Sequence, residues 1–211
     1  SNGIVSLSLS SGAAPTVDAP VAFTVIVQGA GYLTTSAKVS ISSASGQAAD
    51  IQLVALTTDS SGNLTHTQPG VEGTVKVLGT VAGGQVATVM SLSSPDVEDS
   101  SGNTVGGAGL SIPAGTTLRT ATGAAAANGP VTASVVSFSS SSPTALQAFP
   151  GGFAVTVGGS GPGTGTGVFT SGGFAAFNLT DAQGNAIKSF DSPITATIAL
   201  SDTLINEETG L

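Results

Sequence analysis

Short runs in which apolar and polar residues alternate recur along most of the chain, and no run of similar length follows a helical period. From Val21 to Val27, the side chains of Val21, Phe23, Val25 and Val27 fall on one side of an extended segment. Alternation with a period of two is the pattern of a strand that buries one face. The pattern predicts strands at residues 5–9, 21–27, 38–42, 51–56, 74–78, 85–92, 131–138, 153–157, 174–179 and 194–200.

The spacing of these runs indicates the fold class. Short strands about 10–20 residues apart, with Gly, Ser, Asp or Asn in the gaps, are typical of β-sandwiches. One helix of one or two turns is predicted at residues 142–148, where Pro143 suits the first turn and Leu146 would face inward. We therefore predict an all-β protein made of tandem, immunoglobulin-like β-sandwich domains with hairpin turns and at most one short helix.

The strand pattern also suggests a division of the chain. A strand-dense segment gives way to polar turn residues after about residue 60, which predicts a small sandwich at residues 1–60 and a larger one at 61–211. The Gly-rich residues 158–167 resemble a linker. Only 44 residues follow them, too few for an independent core, so we predict a long loop within the second domain.

A five-residue motif, Asp-x-x-Gly-Asn, occurs three times, at residues 59–63, 99–103 and 181–185. Asp at the first position of a turn accepts backbone N–H bonds, and Gly tolerates the positive φ that the fourth position requires. This pattern predicts a type I turn followed by a G1 bulge, which closes a hairpin. The sequences between the copies do not match, so the motif does not mark a repeat.

Calcium binding is the alternative interpretation of the second copy. Asp96 and Glu98 would share a side of an extended segment, with Asp99 at the turn. Ca²⁺ requires six to eight oxygen ligands, the spacing of an EF-hand is absent, and each motif supplies one carboxylate. We keep a Ca²⁺ site at Asp96, Glu98 and Asp99 as a hypothesis and expect no other cofactor. A second acidic group lies near the C-terminus, at Asp202, Glu207 and Glu208.

Charge and composition exclude several functions. The net charge of −8 comes from 12 acidic and 4 basic residues, and the basic residues do not cluster. Binding to nucleic acid or to anionic lipid requires such a cluster, so both are excluded. The absence of cysteine excludes disulfides, thiolate metal sites and cysteine nucleophiles. No apolar run of about 18 residues exists, so no membrane-spanning segment is predicted.

The composition also bears on location. The chain is rich in Ser, Thr and Gly and poor in Lys, which is typical of exported bacterial proteins. We expect an extracellular, cell-surface or periplasmic protein whose signal peptide is not in this chain. We also expect the chain to be a piece of a longer protein and to be a monomer.

Catalytic motifs are missing from the sequence. The single histidine, His66, lies in a polar stretch, and no Gly-x-Ser-x-Gly elbow is present. Glycosidases need only two carboxylates, but the chain has no Trp and one Tyr to form a sugar platform. The Gly-rich residues 158–167 lack the Lys of a phosphate-binding loop. We predict that the protein is not an enzyme.

Two stretches resemble known extracellular modules. Residues 31–41 (GYLTTSAKVSI) resemble an edge of carboxypeptidase-regulatory-like and bacterial immunoglobulin-like modules. Residues 110–116 (LSIPAGT) resemble the IPAGT segment of sandwich domains related to those of netrin receptors and zonula occludens proteins. In the bacterial versions a hydrophobic strand, an FPGG turn and a final strand follow, and here these positions are residues 131–138, 149–152 and 193–200.

The resemblance implies an extracellular β-sandwich scaffold and no particular chemistry. Self-cleaving relatives carry a His-Phe-Ser triplet, which this chain lacks, so self-cleavage is not expected. The function predicted from the sequence is a non-catalytic structural or adhesive module of a bacterial cell-surface or secreted protein. The alternatives are a module that binds a surface glycan or another extracellular protein, and an accessory domain of a secreted hydrolase.

Overall fold

A computed structural model describes residues 14–43, 51–65, 67–99, 101–139, 142–149, 154–157, 165–168 and 173–200. The predicted strand at residues 5–9 lies outside these residues. The one helix that the structure describes is α1 (Pro143–Ala148). The strands are β1 (Val21–Val27), β2 (Thr35–Ile41), β3 (Val71–Ala82), β4 (Gln85–Val86), β5 (Met90–Ser93), β6 (Val97–Glu98), β7 (Thr104–Gly106), β8 (Ala108–Ile112), β9 (Leu118–Thr120), β10 (Gly129–Phe138), β11 (Ala154–Val157), β12 (Gly165–Val168), β13 (Phe174–Thr180), β14 (Ile187–Phe190) and β15 (Thr195–Ile198).

The strands form several antiparallel sheets, which confirms the predicted all-β class. A four-stranded sheet has the order β13-β10-β3-β4, and a three-stranded sheet has the order β15-β8-β5. The remaining strands pair as β1–β2, β6–β7, β9–β14 and β11–β12. We call the four-stranded sheet the central sheet, because side chains pack on both of its faces.

Strand β10 supplies side chains to two separate cores. Successive residues of a strand point to opposite faces of its sheet. Val131, Ala133 and Val135 accordingly join the first core, and Val136 and Phe138 join the second. Ser134 and Ser137 are buried as well, so both faces of the strand are covered.

The first core lies between the central sheet and strands β5, β8, β9 and β14, in a sandwich-like arrangement. Its buried members are Val81, Val86, Met90, Leu92, Ala108, Leu110, Ile112, Leu118, Ala126, Val131, Ala133, Val135, Leu179 and Ile187. The second core lies on the opposite face of the central sheet. Its buried members are Leu33, Val54, Leu64, Val71, Val136, Phe138, Ala145 and Ala148.

Contacts cross the predicted boundary at residue 60. Leu33 and Val54 share the second core with Phe138 of β10. Beyond the turn, the Leu64 N–H donates to the carbonyl oxygen of Gly73 at 2.9 Å, which extends the edge of the central sheet. The division into residues 1–60 and 61–211 stays a prediction, and these contacts identify the residues that test it.

The predicted helix is confirmed as α1. The Ser142 hydroxyl accepts from the Ala145 N–H at 3.3 Å, as an N-cap residue does. Ala145 and Ala148 are fully buried in the second core, whereas Leu146 is only half-buried, so the inward face is the one that carries the alanines. Among the residues described, no helix has the length and apolar character needed to cross a bilayer.

The strand predictions miss β6, β7, β8, β9 and β14, and they differ from the structure at three further places. Residues 51–56 form only an isolated bridge, from Ala55 to Tyr32. Residues 85–92 contain two strands, β4 and β5, instead of one. Strand β12 begins at Gly165 and pairs with β11, so the predicted loop at 158–167 extends too far; residues 158–164 lie outside the described chain.

Candidate functional site

The three Asp-x-x-Gly-Asn motifs adopt one turn geometry. In the first, the Asp59 N–H donates to the Asn63 oxygen at 2.9 Å, and the Gly62 N–H donates to the Asp59 oxygen at 3.1 Å. The same pairs of bonds occur in the other two copies. The glycines have φ of 87°, 80° and 82° at Gly62, Gly102 and Gly184. These hydrogen bonds and the positive φ of each glycine agree with the predicted type I turn and G1 bulge.

A fourth turn of this geometry begins at Thr120, and its five residues include neither Asp nor Asn. The Thr120 N–H donates to the Ala124 oxygen at 2.8 Å, and the Gly123 N–H donates to the Thr120 oxygen at 2.9 Å. Gly123 has φ of 82°. The glycine is therefore the signal common to all four turns, and the Asp adds side-chain bonds to three of them.

The second copy contains Asp99, one of the residues predicted to bind calcium. Oδ1 of Asp99 accepts the N–H groups of Ser101 and Asn103 at 2.8 and 3.0 Å, and Oδ2 accepts the Asn103 side-chain amide at 3.0 Å. These bonds, led by that of the Asn103 side chain, lower the pKa of Asp99 below its ordinary value. Its carboxylate is therefore already bonded within the turn.

Asp96 and Glu98 lie elsewhere around β6. The Asp96 carboxylate lies over Gly107, where Oδ1 would be 2.7 Å from an added Cβ, and Glu98 is exposed opposite Thr104. In the part of the chain that the structure describes, no three His, Cys, Asp or Glu side chains are grouped to hold a metal ion. The calcium hypothesis therefore rests on the sequence alone. His66 and the acidic group at Asp202, Glu207 and Glu208 lie outside the described residues.

Asp181, in the third copy, is buried, with 5% of its surface exposed. Burial alone would raise the pKa of Asp181. The N–H of Ala127 (3.0 Å from Oδ2), the Asn185 side chain and the backbone N–H groups of Asn185 and Gln183 outweigh that effect and lower the pKa. This aspartate holds its own turn and also fastens the turn to the segment before β10.

A pair of buried serines joins the two main sheets. Ser94 and Ser137 place their hydroxyl oxygens 2.9 Å apart. The Ala108 N–H donates to the Ser94 hydroxyl at 3.0 Å, and the Ser137 hydroxyl donates to the Glu72 carbonyl oxygen at 3.4 Å. Each hydroxyl is thus bonded to the backbone or to its partner, which is how buried polar groups stabilise a core. These contacts indicate a structural role.

A shallow groove runs along the outer face of the three-stranded sheet. Two adjoining depressions, of about 360 and 580 Å³, share Ser93, Gly109 and Thr197. In the register of the sheet, Ser111 of β8 lies between Ser91 and Thr195, and Gly109 lies between Ser93 and Thr197. The outward side chains of all three strands are therefore hydroxyls or hydrogen. We call this surface the hydroxyl groove.

Glycines form the floor of the hydroxyl groove. A Cβ on Gly109 would lie 2.6 Å from the Thr197 hydroxyl oxygen, so the Thr197 side chain packs against the backbone of Gly109. Lys76 borders the first depression and Asp96 borders the second. The groove therefore carries one positive charge and one negative charge, at opposite ends.

The first Asp-x-x-Gly-Asn turn positions Lys76. A Cβ on Gly62 would lie 2.8 Å from both Cγ and Cε of Lys76, so the aliphatic stem of the lysine packs over that glycine. Long cationic side chains commonly lay their stem on a surface and keep the ammonium in water. Within the described residues no acidic side chain pairs with Lys76, and none borders the first depression.

Replacing Gly62 with alanine is expected to destabilise the protein more than the same change at Gly102. A non-glycine residue at positive φ costs about 1–2 kcal/mol, and both sites carry that cost. Only Gly62 adds a collision, with Lys76 and with the Val75 carbonyl oxygen at 2.8 Å; nothing lies within 4 Å at Gly102. Urea unfolding of the two variants measures the difference, and equal losses would show that Lys76 does not pack on this turn.

No known protein family, curated protein or solved structure matches the chain in the comparisons. The class of protein is thus defined by the fold itself, which is all-β, antiparallel and sandwich-like. The resemblances to regulatory-like and netrin-receptor-type modules stay predictions. Chemically, the described surface offers a groove that can exchange hydrogen bonds and place one ammonium group beside a ligand.

Proposed function

We propose that the chain is a non-catalytic structural or adhesive module of a bacterial cell-surface or secreted protein. The observation that carries this proposal is the double burial of β10, which pairs with β3 and β13 and supplies both cores. A strand held by two hydrogen-bonded neighbours and packed on both faces opens only when most of the fold opens. Such a core suits a module that must resist proteolysis and pulling.

The aspartates support the same proposal. Asp59, Asp99 and Asp181 accept backbone N–H groups of their own turns, and Asp191 accepts the Thr117 N–H at 2.7 Å. Carboxylates bonded in this way hold strand connections and are poorly placed to transfer protons to a substrate. Four of the eight acidic side chains that the structure describes thus have a structural role.

Native proteolysis tests the scaffold proposal. We expect thermolysin to leave β3 and β10 uncut in buffer and to cleave both strands rapidly in about 8 M urea, where the protein is unfolded. The buried Val and Phe side chains that thermolysin prefers lie in these strands. Rapid cleavage within β3 or β10 under native conditions would refute the proposal. So would turnover of chromogenic glycoside, ester or peptide substrates in proportion to protein concentration.

The second candidate is a glycan- or protein-binding module, such as an accessory domain of a secreted hydrolase. The hydroxyl groove favours this candidate, because its volume falls in the range of ligand sites and five of the nine residues that line its first depression carry hydroxyl groups. A ligand rich in hydroxyl groups complements such a lining better than an apolar peptide does. Between the two partners of this candidate, a glycan is therefore preferred.

A further inference from the structure

We propose that the hydroxyl groove binds an oligosaccharide that carries one carboxylate, with the carboxylate at Lys76. The inference rests on the binding candidate and names its ligand class. Five hydroxyl side chains border the depression beside Lys76: Ser91, Ser93, Ser111, Thr195 and Thr197. Each hydroxyl offers one donor and two acceptor positions, as the hydroxyls of a sugar do, so the two surfaces can exchange hydrogen bonds in either direction.

Lys76 supplies the charge selectivity. Its ammonium has no acidic partner within the described residues, and hydrogen bonds between ionised groups are about twice as strong as neutral ones. Because its stem rests on Gly62, part of the side chain is already ordered before a ligand arrives. Ordering a side chain in advance reduces the entropy that binding must overcome.

The opposite end of the groove limits the ligand to few charges. Asp96 borders the second depression, so a carboxylate there would meet a like charge. The net charge of −8 also repels densely charged polyanions such as nucleic acid or heavily sulfated chains. The preferred ligand is therefore a mostly neutral saccharide whose uronic acid lies at the Lys76 end.

Cellobiouronic acid and cellobiose are matched probes, since they share a disaccharide skeleton and differ by one carboxylate. In a groove this shallow we expect a dissociation constant of about 1 mM for the acid, and about tenfold weaker binding of cellobiose. The preference should shrink as salt is raised, because exposed charges are screened. Titrations of the whole chain followed by NMR should place the shifted amides at β5, β8 and β15.

Lys76→Met removes the ammonium and keeps the length of the side chain, and Lys188→Met is the control, since Lys188 is exposed on β14 outside the groove. We expect Lys76→Met to bind both disaccharides equally and Lys188→Met to keep the preference. Circular dichroism establishes that each variant is folded. Loss of the preference in Lys76→Met alone supports the proposal.

Three results would overturn it. Equal binding of the two disaccharides by the wild-type chain would refute acid selectivity and leave the glycan candidate standing. Binding of acetate as tight as that of cellobiouronic acid would show that the site recognises a carboxylate without its sugar. If neither disaccharide shifts the groove amides at 20 mM, the groove is refuted as a glycan site; this concentration is about twenty times the dissociation constant expected for the acid. The scaffold proposal is tested separately, by proteolysis.

Discussion

Replacing Phe138 with alanine is expected to lower the free energy of unfolding by about 3–5 kcal/mol, the usual loss for a buried aromatic side chain. Phe138 is fully buried and contacts Phe149 edge-to-face, with ring centroids 5.4 Å apart. The same core contains Leu33 and Val54 from the N-terminal part of the chain and Ala145 from α1. The cavity would therefore weaken contacts among three distant segments at once.

The chain contains a natural reporter for this experiment. It has one tyrosine, Tyr32, and no tryptophan, so intrinsic fluorescence follows the N-terminal part while circular dichroism follows all the strands. If the second core joins the two parts, Phe138→Ala should shift both urea transitions to lower concentration together. Leu118→Ala, in the first core, is the matched large-to-small control, with an expected loss of about 2–5 kcal/mol.

The outcome also tests the domain boundary predicted at residue 60. If residues 1–60 form an independent sandwich, the urea transition of that domain should be the same in Phe138→Ala and in the wild type. A Tyr32 transition that stays in place while the dichroism transition moves would therefore support the boundary and contradict a core shared across it. Coincident shifts would instead place Leu33 and Val54 in the same cooperative unit as β10.

Replacing Asp181 with alanine is expected to cost about 1–3 kcal/mol, because buried N–H groups lose their acceptor. The side chain accepts bonds from Gln183 and Asn185 in its turn and from Ala127 at 3.0 Å in another segment. Asp99→Ala is the matched control, since Asp99 makes the same turn with more exposure and no bond to a distant segment. Thermal unfolding should show the larger loss for Asp181→Ala, and equal losses would assign the whole effect to the turn.

The pKa of Asp181 predicts a pH dependence with a definite sign. Its folded pKa lies below its ordinary value, as do those of Asp99 and of Asp191, which accepts hydrogen bonds from the side chain and N–H of Thr117 and from Ser192. A carboxyl with a lowered folded pKa stabilises the protein fully above its unfolded pKa, about 3.9 for Asp, and loses that contribution as pH falls through the folded value. The melting temperature should therefore decrease as the pH is lowered below about 4.

Asp181→Asn isolates one contribution to that fall. The amide cannot titrate, and its NH₂ group would face the N–H donors of Ala127 or Asn185. The variant should be less stable than the wild type at pH 7, and the difference should narrow in acid. A constant difference would show that the charge of Asp181 has no part. Glu72 acts in the opposite direction, because burial raises its pKa and its ionised form is the less favourable one in the folded state.

Local structure was the most predictable part of the molecule. The hairpin turns followed from five consecutive residues, since the Asp side chain, the positive φ of Gly and the closing N–H bond all lie within that span. The helix α1 followed from its Ser142 cap and Pro143. Strand β10 was found almost to the residue, because apolar and polar residues alternate along most of its length.

Elements that depend on distant partners were predicted poorly. Residues 51–56 alternate like a strand, yet only Ala55 finds a bridge, because pairing requires a neighbour with free N–H and carbonyl groups. Strands β9 and β14 are short, and neither carries a pattern that distinguishes it from a loop. They are strands because they pair with each other, with Leu118 opposite Phe190, and because Leu118 and Ile187 are buried in the first core.

The sequence by itself determined the all-β class, the direction reversals at the Asp-x-x-Gly-Asn turns and the lack of a basic surface, since each depends on composition or on bonds between near neighbours. Tertiary structure decided how deeply each copy of the turn motif is buried and which other segments it contacts. Asp99 and Asp181 make the same turn, but only Asp181 is buried against a second segment. Tertiary structure also brought Ser111 and Thr195 together through the register of their sheet, and it placed Lys76 of β3 beside them, although no local pattern relates these residues.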